Sequence, residues 1–374
     1  MKADIETFYS RMVEVCSHCA IASDRPVRWT IIANPSAGGF TMPSRWKRHE
    51  ADLYQVDLKK PPAERAPYTP IRQNSPYDGL FLTAKPKDAG EFTKKLIDGM
   101  GDDDAFHLII TAGGDGTSLE VLSALLLSTE KDKSLKDRYA ILRLPMGTGN
   151  DGADAWELGG ALDLLLNSTR VEFARGLRLS TSTADKGGFL AFNILSVGLD
   201  AFVTHNTNKM KGKLPGDFYK LWVDVAALFY DKIYHVGAMS VKTFDETMKQ
   251  TGEFQEPLLL LAVGASGYRT YGSHNRILPD ERNVCAIRQT SLLRKIALKK
   301  QVREGTHVGK PQTILTSAFR VEFQGAYPIL AQMDGETVLL TKEDYPCAIT
   351  LTEPLIPVLS PIRKTHPSGA GIAC

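Results

Sequence analysis

Three glycine turns, each at the end of an apolar run, limit what this chain can fold into. Asn34-Pro35-Ser36-Ala37-Gly38-Gly39 follows "VRWTIIA", Gly113-Gly114-Asp115-Gly116-Thr117 follows "FHLIITA", and Gly147-Thr148-Gly149-Asn150-Asp151 follows "YAILRLP". Helical patterns alternate with these runs, as in "KDAGEFTKKLIDGM", "SLEVLSALLLST" and "GGALDLLLNS". Such alternation predicts a parallel α/β sheet with helices on both faces. Loops at the carboxyl ends of its strands meet in one crevice, where ligands bind. Glycine lets the backbone come close to a ligand, and a helix start adds positive potential. A nucleotide or phosphate site at the three turns follows as an expectation.

The middle turn fits neither common phosphate template. A Walker loop needs Gly-Lys followed by Ser or Thr, and this turn has Gly-Thr; the dinucleotide fingerprint needs a third glycine that is absent after Gly116. Asp115 would also repel a phosphate, since like unit charges about 4 Å apart cost roughly 4 kcal/mol at an effective dielectric of 20. A divalent cation such as Mg²⁺, a proton or a substrate hydroxyl must answer that charge.

The pattern changes after residue 171. "FLAFNILSVGLDAFVT", "IYHVGAMSVKTF", "EPLLLLAVGAS", "NVCAIRQT", "AFRVEFQ" and "CAITLTE" read as antiparallel strands, interrupted by helical patterns at 216–232 and in "SLLRKIALKKQVREG". The expected architecture is an α/β nucleotide-binding domain at 1–171 and a β-rich, sandwich-like domain at 172–351. The tail 352–374 is expected to return to the first domain. A proline-punctuated stretch at 59–79 reads as an inserted surface loop.

With 374 residues the chain exceeds one typical domain, and its net charge of +2 gives no argument for nucleic acid. It has no apolar run of the roughly 20 residues a membrane span needs, and its first residues are too charged for a secretory signal. A soluble, cytoplasmic protein is expected. The five cysteines are scattered, and Cys16-Ser17-His18-Cys19 lacks a second ligand pair, so it reads as part of an N-terminal helix.

Taken together, "NPSAGG", "GGDGT" and "LPMGTGND" resemble the diacylglycerol kinase catalytic domain, a family that includes sphingosine and ceramide kinases. Its nucleotide domain is shared with NAD kinases and phosphofructokinases. The resemblance continues through "FLTAKPKDAGEFTKKL", "FNILSVGLDAFVT" and "AQMDGETV", covering residues 27 to about 355 in family order. It implies ATP- and Mg²⁺-dependent transfer of a phosphoryl group to a lipid hydroxyl, most simply that of diacylglycerol. A sphingoid base, ceramide or envelope glycerolipid is the alternative acceptor, and a nucleotide-binding lipid sensor without activity is the alternative class. The asparagine–glutamate motif of NAD kinases has no counterpart here.

By the same resemblance Asn34, Gly38, Gly114, Asp115, Gly116 and Thr117 would hold ATP, with Gly147, Thr148, Gly149 and Asn150 lining the pocket. Asp334 and Glu336 would enter from the second domain. Asp334 is then the first choice for the general base and Asp115 the second, with Glu336 beside them, and Asp115 and Asp334 would carry the metal. Read alone, Asp334-Gly335 is a hairpin signal.

Several positions depart from the family. Phe40 and Thr41 stand where many bacterial members carry a lysine, so Arg45, Lys47 or Arg48 would have to replace it. "GLRLSTST" lacks an expected acid. "LPDERNV" places Arg282-Asn283 where a metal-binding loop has Asp-Gly, although Asp280 and Glu281 are adjacent. The lipid would be met at the membrane surface, so peripheral association is expected, with self-association left open. Lys209, Lys211 and Lys213, or Arg294, Lys295, Lys299, Lys300 and Arg303, could provide it; the plain alternative is a solvated helix face.

Overall fold

The computed structural model describes residues 2–21, 25–56, 58, 69–70, 79–100, 104–183, 188–210, 230, 236–272 and 275–360. Most of the proline-rich insertion, the helical pattern at 216–232 apart from Tyr230, Lys211, Lys213 and the end of the tail lie outside them.

The strands are β1 (Val27–Ala33), β2 (Thr69–Pro70), β3 (Leu80–Leu82), β4 (Phe106–Gly113), β5 (Tyr139–Pro145), β6 (Arg170–Ala174), β7 (Leu177–Ser180), β8 (Phe189–Ala191), β9 (Ile194–Gly198) and β10 (Ala238–Phe244). They continue as β11 (Gln250–Gly264), β12 (Arg269–Tyr271), β13 (Asn275–Leu278), β14 (Val284–Arg288), β15 (Thr313–Thr316), β16 (Arg320–Gln324), β17 (Ile329–Met333), β18 (Glu336–Leu340), β19 (Cys347–Leu351) and β20 (Ile356–Ser360).

In the first sheet β1, β4 and β5 run parallel at the centre, with β2 and β3 both on the outer side of β1. Every residue of β5, and all but the first of β4, is buried, as expected for strands covered on both faces. Their alternation sorts side chains between two cores. Leu108, Ile110, Leu142 and Leu144 join Phe8 and Met12 of α1 (Lys2–Ser17), Leu53 of α3 (Pro43–Gln55) and Leu162 of α6 (Leu158–Asn167). Ile109, Tyr139 and Ile141 face Leu96 of α4 (Asp88–Gly99) and Leu122 and Leu125 of α5 (Asp115–Lys131). The last strand, β20, enters this sheet between β5, which it meets in parallel, and β6, which it meets antiparallel. The sheet therefore extends to Ala174 and takes up residues 356–360.

The second sheet has eleven strands, all antiparallel in their pairings. Its organiser is β11, which pairs with β10 along its first half and with β9 and β14 along its second. The first half alternates in exposure, whereas Leu258 to Gly264 are all buried. An α/β domain joined to a β-rich domain is thus the observed fold class.

Two expectations need correction. "LDAFVT" was read as a continued strand, but Gly198 at φ 93° ends β9 and Leu199–Met210 forms a helix, α7. Lys295 was a candidate for membrane contact, yet it is only 7% exposed, turned inward on the helix Leu292–Glu304.

Candidate active site

The three glycine turns touch one another. A β-carbon on Gly38 would lie 2.7 Å from the Thr148 side chain, and one on Gly147 would lie 2.5 Å from the Gly114 Cα. Gly39 donates its N–H to Met146 O at 2.8 Å. These glycines let the loops interlock. Asn150, at φ 61°, staples its own turn, its amide accepting from Gly147 N at 2.6 Å and donating to Pro145 O at 2.9 Å. Asn34 closes the first turn by accepting from Ser36 N at 2.9 Å. Thr117 is buried, folded back over Gly113.

Gly114 is the N-cap of α5, so Asp115 and Gly116 open that helix at the crevice. Asp115 Oδ1 accepts the Gly152 N–H at 3.1 Å, and a β-carbon on Gly149 would stand 2.9 Å from Oδ2. Burial pushes its carboxyl up, opposed by the Gly152 N–H and by Arg143. Arg143, at the centre of β5, binds Asp154 through Nε at 3.1 Å and Nη2 at 2.6 Å. Burial works against its charge, but Asp154, Asp334 and Asp115 together outweigh it and raise its pKa.

Asp151 ends the third turn. Its Oδ2 accepts the Gly272 N–H of the second domain at 2.8 Å, while Oδ1 is buried without a hydrogen-bond partner. Burial first, then Asp115, push its pKa up to about 8. Gly272, just after β12, thus meets the crevice, and Asn193 Nδ2 holds β12 by donating to Thr270 O at 2.9 Å. Arg269 and the half-buried Tyr271 arrive on the same strand; Arg143 and Asp334 act on Arg269, and Asp200 and Asp151 on Tyr271. Asp200, at the start of α7, accepts at Oδ2 from Ser196 Oγ at 2.6 Å and Gln332 Nε2 at 3.0 Å. Arg143, Asp154, Asp200, Arg269 and Tyr271 carried no sequence signal, since each stands outside a glycine turn.

Asp334-Gly335 is indeed a two-residue hairpin turn. Met333 pairs with Glu336 across β17 and β18, and the turn residues have φ of 46° and 98°. The Asp334 carboxylate is filled by backbone donors: Asn193 N and Ile194 N reach Oδ1 at 3.0 Å each, and Phe192 N donates to Oδ2. Burial raises its pKa to about 6 against those bonds, with Asp115 adding repulsion. The turn projects Glu336, an exposed residue, toward the start of α5, where its Oε1 lies 3.7 Å from a β-carbon placed on Gly116.

Beyond the third turn lies a cavity of about 200 Å³ bounded by α3 and the start of α6. Arg45, Arg48 and His49 line it with Thr148 and Trp156, and Lys47 does not. Arg45 donates to Gly147 O at 2.7 Å and Thr148 O at 3.3 Å. His49 is buried, its Nδ1 has no partner, and burial followed by Arg48 and Arg45 lowers its pKa to about 4.

At the loop where a metal was in question, Arg282 takes the Asp280 carboxylate, with Nε 3.0 Å from Oδ1, leaving a guanidinium where a cation would sit. No group of three or more His, Cys, Asp or Glu side chains is arranged to hold a metal among the described residues. At the N-terminus Cys16 and Cys19 are buried and His18 Nδ1 lies 2.9 Å from Glu14 O.

Residues 70–179, which include the second and third turns, match the family described as the diacylglycerol kinase catalytic domain. The chain is 25% identical over 240 residues to a "Probable lipid kinase YegS-like" protein of Xanthomonas euvesicatoria pv. vesicatoria, covering 62% of this chain and 73% of the relative. It is 27% identical over 177 residues to one of the same description from Xanthomonas axonopodis pv. citri, covering 47% and 53%. Among solved structures, a "putative diacylglycerol kinase from Bacillus anthracis str. Sterne" aligns with a TM-score of 0.56 at 17% identity, over 90% of this chain and 96% of that one. The resemblance drawn from the motifs therefore holds, and the shared fold extends across both domains.

Proposed function

We propose that this chain, of the lipid-kinase family through its diacylglycerol kinase catalytic domain, transfers a phosphoryl group from ATP to the hydroxyl of diacylglycerol. The observation that carries the reading is the meeting of Asp115 and Asp151 with the Asp334–Glu336 hairpin at the start of α5. Phosphoryl transfer depends on positioning and on neutralising phosphate charge, with a base at the nucleophile.

Crowded carboxylates with an unpaired buried oxygen fit a divalent cation. Asp115 and Asp151 would hold it, since Asp151 Oδ1 lacks a partner whereas both Asp334 oxygens are taken by backbone N–H groups. When bound, Mg²⁺ supplies neutralisation of phosphate charge and needs only one or two carboxylates besides the phosphates. The start of α5 favours phosphate oxygens, and Arg45 and Arg48 stand beside the third turn.

Glu336 is the better proton acceptor for the lipid hydroxyl, because its carboxylate is exposed to the crevice and Asp334 is consumed in holding the turn. Asp334 is then a positioning residue. The reading is tested by incubating the protein with labelled ATP, Mg²⁺ and separate diacylglycerol, sphingoid-base, ceramide and glycerolipid acceptors. Label in phosphatidic acid supports it; ATP binding with no labelled lipid favours the silent sensor instead.

A further inference from the structure

The helix Leu292–Glu304 has apolar side chains on opposite faces. Leu298 and Val302 are buried in a core shared with Ile277 and Leu278 of β13. Leu292, Leu293 and Ile296 stand outside, at 43%, 79% and 51% exposure. On the helix and the turn after it Arg294, Lys299, Lys300, Arg303 and Lys310 are exposed, and Glu304, 3.9 Å from Lys300, is the acid of this segment. Apolar side chains interleaved with cations on one exposed face match a surface that is anionic outside and hydrocarbon beneath. A second copy would bring the same cations against these, so charge disfavours self-association here.

We infer that this helix docks the protein on an anionic lipid bilayer, with Leu292, Leu293 and Ile296 entering the headgroup boundary and the flanking Arg and Lys residues meeting lipid phosphates. Its purpose, though not its geometry, rests on the lipid-kinase reading. The helix packs on β13, β13 pairs with β12, and Gly272 just beyond β12 holds Asp151. Docking therefore sets β12 and Gly272, which meet the crevice, behind the membrane-facing helix.

Sedimentation with vesicles of phosphatidylcholine containing roughly one-third phosphatidylserine, without nucleotide, tests this. The wild type is expected to bind these vesicles, and to bind pure phosphatidylcholine weakly. Leu293→Ser with Ile296→Ser, and separately Lys300→Gln with Arg303→Gln, should each weaken binding by about tenfold or more. Both pairs should keep the unfolding temperature and turnover on a short-chain soluble lipid. Undiminished binding by both pairs overturns the inference, as does a wild type that self-associates through this face without binding vesicles. Because no ATP is present, a protein without kinase activity would refute the functional reading and leave this one standing.

Discussion

Asp151 of the first domain accepts the backbone N–H of Gly272 in the second at 2.8 Å, and its other oxygen is buried without a partner. A carboxyl so placed costs the fold stability. Its pKa of about 8 lies above the ordinary 3.8, so between those values the folded chain holds a proton that the unfolded chain has released. Stability should fall as pH rises from about 4 to about 8. Asp151→Asn should therefore be more stable than wild type at pH 8, by on the order of a few kcal/mol. If Asp151 helps hold Mg²⁺, the ion should raise the wild-type unfolding temperature and leave that of the variant unmoved.

The interlocked turns differ in how much room they leave at each glycine. Gly147→Ala forces a β-carbon to 2.5 Å from Gly114 Cα and should cost about 1–3 kcal/mol of stability. Gly114→Ala meets its nearest neighbour at 3.6 Å, an ordinary contact, and should unfold like wild type. On the proposed function its ATP affinity should nevertheless drop, because the new methyl would crowd a nucleotide approaching the helix start. Thermal melts and ATP titrations of both variants check this.

Asp334 and Glu336 are two residues apart and should respond differently. Asp334→Asn turns an amide N–H₂ toward backbone donors at Phe192, Asn193 and Ile194, and should destabilise by about 1–3 kcal/mol. Glu336→Gln removes an exposed carboxylate, so its melting should be unchanged while kcat falls by about 10²–10⁴-fold. An unaltered kcat for Glu336→Gln would return the base role to another carboxylate.

The sequence was most legible where backbone geometry restricts residue choice. Glycine turns on strand exits announced the sheet and the crevice, because few residues but glycine permit such contact between loops. The strand ending at Gly198 was read too far, since "LDAFVT" is as apolar as a strand and only the positive φ of Gly198 separates them. Arg143 and Arg269 were invisible because a lone arginine in a strand has no spacing that marks it. Lys295 looked like its neighbours Arg294 and Lys299, and only the helix rotation, which the apolar residues on opposite faces obscure, turns it inward.

The central claim is tested most directly by following phosphoryl transfer from labelled ATP to diacylglycerol in mixed micelles, comparing wild type with Asp115→Asn and Glu336→Gln. The account predicts Mg²⁺-dependent labelling of phosphatidic acid by the wild type, and near-background labelling by both folded variants. Labelling at wild-type rate by both variants, or none by a wild type that binds ATP, would contradict it.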